Sequence, residues 1–161
     1  MNTKAVHVWA LIRIALGFTF FWAFLDKLVG LGYATTPEKA WVAGGSPTTG
    51  FLTSASGTFA PVFNSLAGNM LIDWLFMTGL CLIGLGLLLG IGVRLASYSG
   101  SLLLFMMWLA VFPPKTNPVI DDHIIYILAL LGILSSDAGS VFGFGKSWKK
   151  SKLVKQYPIL Q

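Results

Sequence analysis

Residues 73–112 read DWLFMTGLCLIGLGLLLGIGVRLASYSGSLLLFMMWLAVF. Two apolar runs, 73–91 and 95–112, flank a turn of Gly92, Val93 and Arg94. Each run approaches the roughly 20 mostly apolar residues that carry an α-helix across a hydrocarbon core about 30 Å thick. So short a turn folds the two runs into an antiparallel hairpin. Gly79, Gly84, Gly86 and Gly90 lie in the first run, with Gly86 and Gly90 in a G-x-x-x-G pair. Ser97, Ser99, Gly100 and Ser101 open the second. Small residues at such spacings let helix backbones approach closely in lipid.

Working outward, residues 5–28 form a further apolar span that contains Arg13, and residues 119–136 form another. The expected fold is an all-α integral membrane protein. It is a four-transmembrane-helix bundle made as a single membrane domain over residues 1–161, with a long, partly helical outer loop over 30–72. Composition agrees: 55% of residues are hydrophobic and 11% charged, against about 25% charged in an ordinary soluble domain. That balance excludes a disordered chain, a disulfide-stapled secreted domain and most soluble enzymes. Cys81 is the only cysteine. It reads as a small core hydrophobe, and alone it cannot perform two-thiol exchange. The first apolar stretch is too long for a signal h-region and lacks a small-residue cleavage site.

Basic residues set the orientation. With four spans, both termini share one side. That side holds Lys4, Arg13, Arg94, Lys146, Lys149, Lys150, Lys152 and Lys155; the other holds only Lys27, Lys39 and Lys115. The chain is therefore expected to be multi-pass in a cell membrane with N- and C-termini cytoplasmic. The basic tail over 146–161 reads as an anchor on the lipid surface rather than a nucleic-acid arm. In the outer loop, Thr36-Pro37-Glu38 predicts a helix start running to about Val42, which places Trp41 at the interface. Gly44-Gly45-Ser46-Pro47 predicts a turn. Phe59, Val62, Phe63 and Leu66 have the spacing of a surface helix with one face in lipid. The loop is expected to fold back as a lid.

Ionisable groups at membrane depth are functional candidates. Asp26 and Lys27 end the first span, with Trp22 one turn earlier. Adjacent helical residues point about 100° apart, so each should pair with another helix rather than with its neighbour. The last span opens with NPVIDDH, residues 117–123, and its purely apolar run, 124–134, is only 11 residues long. That is roughly 16 Å of helix, so a polar end must sit below the interface. Asp121 can serve as an acid or as a helix cap. His123, whose ordinary pKa of about 6.5 suits a proton relay, has Tyr126 three residues on. Arg13 either snorkels inward or holds a carboxylate, a phosphate headgroup or a cofactor oxygen. His7 and His123, the two histidines, lie a bilayer thickness apart, about 30 Å, so they share neither haem nor zinc. No metal site and no cofactor within the chain is expected. No phosphate loop, dinucleotide fingerprint or nucleophile elbow is present.

RIALGFTFFWAFLDKLVGLG, ATTPEKAWVAGGSPTTGFL, DWLFMTGL with GLGLLLGIGVR, and NPVIDDHIIY together resemble the DoxX/DoxD family of four-span membrane proteins over nearly the whole chain. DoxD is the membrane subunit of an archaeal thiosulfate:quinone oxidoreductase. The resemblance implies a quinone-linked membrane oxidoreductase subunit, acting on thiosulfate or a related sulfur compound, with quinone as a bound substrate. The family pattern N-P-x-x-D-x-H falls on Asn117, Pro118, Asp121 and His123, which favours Asp121 over Asp122. W-A-F-x-D-K falls on Trp22 to Lys27, and G-G-S-P on Gly44 to Pro47, including Ser46.

The expected site lies between the outer ends of the first, third and fourth spans. Trp22, Trp108 and Tyr126 form an aromatic wall there. His123, with Asp121 or Asp26, exchanges protons with a quinone, and Lys27 offsets negative charge. Trp41, Ser46 and Arg13 complete the candidate binding residues. The rival reading is a non-catalytic membrane adaptor that binds a partner subunit, and a third is a small transporter. Expected partners are the bilayer and a soluble or membrane subunit. A homo-oligomer stays open, and nucleic acid is not expected.

Overall fold

The computed structural model describes residues 3–115 and 117–161. It is helical, with no strand among the described residues. Helix α1 spans Thr3–Val29, short α2 and α3 span Thr49–Ser54 and Ala60–Ser65, α4 spans Met70–Leu89, α5 Val93–Val111 and α6 Asp122–Ser135. The tail adds α7, Gly145–Lys149, and α8, Lys152–Gln156. Three helices, α1, α4 and α5, are long and apolar enough to cross a membrane. Their outward faces are apolar as well: Leu11, Phe18, Leu82, Leu102 and Phe105 are all exposed. Apolar surface on this scale is covered by lipid in a membrane protein. Helix α6 is shorter, with 14 residues, and it starts three residues after the expected start of the last span, because Asp121 caps it.

Local chemistry explains the ends of the helices. Asn69 caps α4, its side chain accepting from the Leu71 N–H at 2.9 Å. Gly90 ends α4 at φ +71°, with its N–H on Gly86 O. The left-handed region favours glycine, so this residue stops the helix and starts the tight turn into α5. Asp121 accepts from the His123 and Ile124 N–H groups at the start of α6.

Helices α1 and α4 run antiparallel at very short range. A Cβ on Gly17 would sit 2.7 Å from Leu88 N, and one on Gly84 would sit 2.6 Å from Phe21 N. The close backbone approach therefore joins α1 to α4 through Gly17 and Gly84. Of the expected Gly86 and Gly90 pair, Gly86 does face α5, where a Cβ would come 3.3 Å from the Ala96 side chain, while Gly90 is used as a helix stop. The reason is register: Gly17 lies against Leu87 and Leu88 of α4, and Gly84 lies against Phe21 of α1, one turn further along the antiparallel pair. Phe20, Ile83, Gly100 and Leu130 bring α1, α4, α5 and α6 together in one layer, and the buried core runs from there to Leu87 and Ile133.

The loop between α1 and α4 folds as a lid over one end of the bundle. Gly30 donates to Asp26 O at 2.8 Å, and the Thr58 N–H donates to Phe112 O at 2.7 Å. Leu52, Ala55, Ala60, Phe63 and Ala110 form a second small core beneath it. Two features differ from expectation. The segment after Thr36 is a pair of 3₁₀ turns, Pro37–Lys39 and Trp41–Ala43, instead of one helix. Helix α3 also does not lay all four apolar residues on one lipid face: Phe59 and Val62 are exposed while Phe63 is buried. The tail folds back on the opposite end, where Val154 is buried and Trp148 Nε1 donates to Leu160 O at 2.5 Å.

Candidate functional site

The groups singled out by sequence fall into separate places. At the α5–α6 junction, Asn117 Oδ1 accepts from the N–H groups of Val119 and Ile120, both at 3.0 Å. This shapes the turn that feeds α6. Asp121 then uses Oδ1 for the cap and Oδ2 for His123 Nδ1, at 2.7 Å. An ionised carboxylate only accepts, so Nδ1 carries the proton and Nε2 is left for another partner. The pair is partly exposed. Beside it, Trp108 Nε1 donates to Val119 O at 2.9 Å. Trp108 also stacks with Phe105 at 5.8 Å and packs against Phe112 at 4.7 Å. Tyr126 is exposed one turn into α6.

Trp22 lies elsewhere. Its ring contacts are with Phe18 at 5.8 Å and Tyr33 at 5.2 Å; among the described residues, no ring contact joins Trp22, Trp108 and Tyr126 to one another. Asp26 is buried, accepting from the backbone N–H of Tyr33 at 3.3 Å and of Ala34 at 3.0 Å. This carboxylate holds the first loop segment against the end of α1. Trp41 packs edge-on against Trp74 of α4, centroids 4.6 Å apart.

Ser46 belongs to a polar clasp that sequence reading missed. Asp73, buried in the first turn of α4, accepts from Ser46 Oγ at 2.9 Å, from Thr48 N at 3.3 Å and from Thr48 Oγ1 at 2.5 Å. Ser46 Oγ in turn accepts from Thr49. The clasp fixes the lid to α4. The available signal was a carboxylate at a helix start within an apolar run, which needs donors once buried, and the hydroxyl-rich Ser46-Pro47-Thr48-Thr49 that supplies them.

Arg13 is fully buried, and its partners are backbone carbonyls. Nη1 donates to Leu87 O and, at 3.2 Å, to Leu88 O; Nη2 donates to Val141 O and Phe142 O, each at 3.0 Å. These are end carbonyls of α4 and the chain after α6, so the guanidinium caps α4 and ties three segments together.

Lys27 faces a different environment from Asp26. Its ammonium lies 5.9 Å from the centroid of Phe76, at a cavity of about 610 Å³ between the lid, α4 and α5. A second cavity, about 280 Å³, lies at the tail end between Arg94, Ser136 and Trp148. Nearby, Asp137 pairs with Lys149 and accepts from Ser140 Oγ at 2.9 Å. Burial pushes the Asp137 carboxyl up, but the hydrogen bonds from Lys149 and Ser140 and the charges of Lys149 and Lys146 outweigh it. The group ends below the usual carboxylate range. In the lid, hydrogen bonds from its own backbone N–H and from Thr36 hold Glu38 below that range as well. Among the described residues, no three His, Cys, Asp or Glu groups lie together as a metal site would need.

Comparison with protein-family models, curated proteins and solved structures gives no match for this chain.

Proposed function

We propose that this chain is the membrane subunit of a quinone-linked oxidoreductase, and that the His123–Asp121 pair is its proton-handling site. The observation that supports the reading is the 2.7 Å bond that His123 Nδ1 donates to Asp121 Oδ2. A carboxylate that fixes one imidazole nitrogen leaves the other poised for proton exchange. The Phe105–Trp108–Phe112 ladder offers flat apolar faces beside that pair, at the edge of the bilayer, where a quinone ring can stack.

In this reading a partner subunit delivers two electrons, drawn from thiosulfate or a related sulfur compound. The quinone takes two protons, at least one through His123, and the quinol returns to the lipid. The DoxX/DoxD resemblance and the four-span topology with cytoplasmic termini in a cell membrane belong to the same proposal, with α6 as the fourth crossing. Asp26 plays no part in the proton step, because its oxygens hold Tyr33 and Ala34.

The test is quinone reduction by the purified assembly, with H123A compared against the unchanged chain. We expect turnover to fall by about 10²-fold or more, the usual worth of a general acid–base group, with unchanged thermal stability. D121N should lower the rate less, since an amide oxygen still caps α6 but the amide nitrogen in place of Oδ2 can no longer accept from His123 Nδ1. Full activity in H123A would overturn the assignment.

A further inference from the structure

The cavity of about 610 Å³ lies within the range of ligand sites, roughly 300–1,000 Å³. It is a different place from the His123–Asp121 pair, which does not line it. One wall runs along α4 from Ile72 to Ile83, roughly 16 Å of helix and about half the hydrocarbon thickness of a bilayer. The other wall is α5, and the lid roofs one end. Leu75, Leu102 and Met106 line the cavity and are also exposed on the outside of the bundle. The mouth therefore opens sideways between α4 and α5, toward lipid.

Gly79 keeps the channel wide: a Cβ there would meet nothing within 4 Å. This glycine differs from Gly17 and Gly84, which are packed against backbone. Nearly the whole lining is apolar, and its one charged side chain is Lys27, at the lid end. Among the described residues, the ion pairs within 4 Å are His123–Asp121 and Lys149–Asp137. The adjacent carboxylate, Asp26, attracts Lys27 at longer range, but its oxygens are held by the Tyr33 and Ala34 amides. Lys27 therefore offers an ammonium, with up to three donors, to whatever enters the channel. A cation at the edge of an apolar site is costly unless an anion meets it.

We propose that this cavity is a binding site for a long-chain carboxylate taken sideways from the bilayer. The acyl chain lies along Gly79 and Phe76 between α4 and α5. The carboxylate meets Lys27 beneath the lid.

The test uses the full chain in a neutral maltoside detergent and the fluorescence of cis-parinaric acid. The acid should bind in proportion to protein. Oleate should displace it at least about tenfold better than methyl oleate, because the ester cannot make the charge-assisted hydrogen bond to Lys27. K27Q should bind acid and ester alike, which separates the headgroup contact from the channel. G79F, which fills open space, should lose both while keeping the thermal midpoint of the unchanged chain. Equal displacement by oleate and its methyl ester in the unchanged chain would overturn the proposal. So would an acid preference that survives K27Q, or stronger displacement by a two-chain acidic phospholipid. The readout is binding and makes no use of turnover, so it stands or falls apart from the quinone reading.

Discussion

Arg13 shows what a buried charge can do when no anion meets it. Its guanidinium spreads four donated bonds over Leu87, Leu88, Val141 and Phe142 carbonyls. All four of these residues end α4 or follow α6, where carbonyls lack helical partners, and the cation also opposes the negative end of the α4 dipole. A functional reading of Arg13 needs a ligand oxygen, and the protein's own backbone fills that place. We expect R13M to cost at least about 3 kcal/mol, since it strips several buried acceptors of a charged donor. R13K should recover only part, because an ammonium cannot fork across two segments. Reversible unfolding in mixed micelles measures this, and an R13M chain as stable as the parent would sink the role. Asp26 teaches a related lesson. Sequence marked it as a carboxylate at a span end, and it is indeed buried, but its partners are amides of the next loop segment. Spacing along one helix cannot tell whether a charge faces a ligand or a loop that folds back onto it.

The long elements were legible because their signals are redundant: length, hydropathy and flanking turns all agree for α1, α4 and α5. The short elements were not. Helix α2 has six residues, well below the length at which an isolated helix is stable, and it exists because Leu52 and Phe51 pack beneath the lid. Such a helix is a product of tertiary burial and leaves little trace in local pattern. The same holds for the Ser46–Thr48–Asp73 clasp, whose partners lie more than twenty residues apart along the chain. At the junction of α6 and α7, Asp137 joins the end of the bundle to the tail through Lys149 and Ser140. Its carboxyl titrates below the ordinary range in the folded protein, so the ionised form favours folding. That contribution is present above the unfolded pKa of about 3.9 and disappears as pH falls through the folded value. D137N should therefore have a lower thermal midpoint than the parent at pH 7, and the two should converge below about pH 4. A constant gap across that window would show that the bond, and not the charge, carries the effect.

Taken whole, the molecule presents a belt of exposed apolar side chains and polar ends, and the open question of scale is whether α6 crosses with the other three. Its 14 residues give roughly 21 Å of helix, short of a core about 30 Å thick. The apolar surface does not stop where the helix does. Val119 and Ile120 are exposed before it, Ile125, Leu128 and Leu131 along it, and Phe142 and Phe144 after it. The fourth crossing we propose would draw on that longer band, with local thinning of the bilayer. It would put Lys115 and Lys150, both exposed, on opposite sides of the membrane, with Lys39 beside Lys115. The measurement starts from C81S, which removes the one native thiol, and adds K39C, K115C or K150C singly. An impermeant maleimide applied to intact cells should label K39C and K115C, and should reach K150C only after permeabilisation. If K115C and K150C label together, α6 lies along one face, the termini are on opposite sides, and the positive-inside argument that placed the basic tail with Lys4 loses its premise.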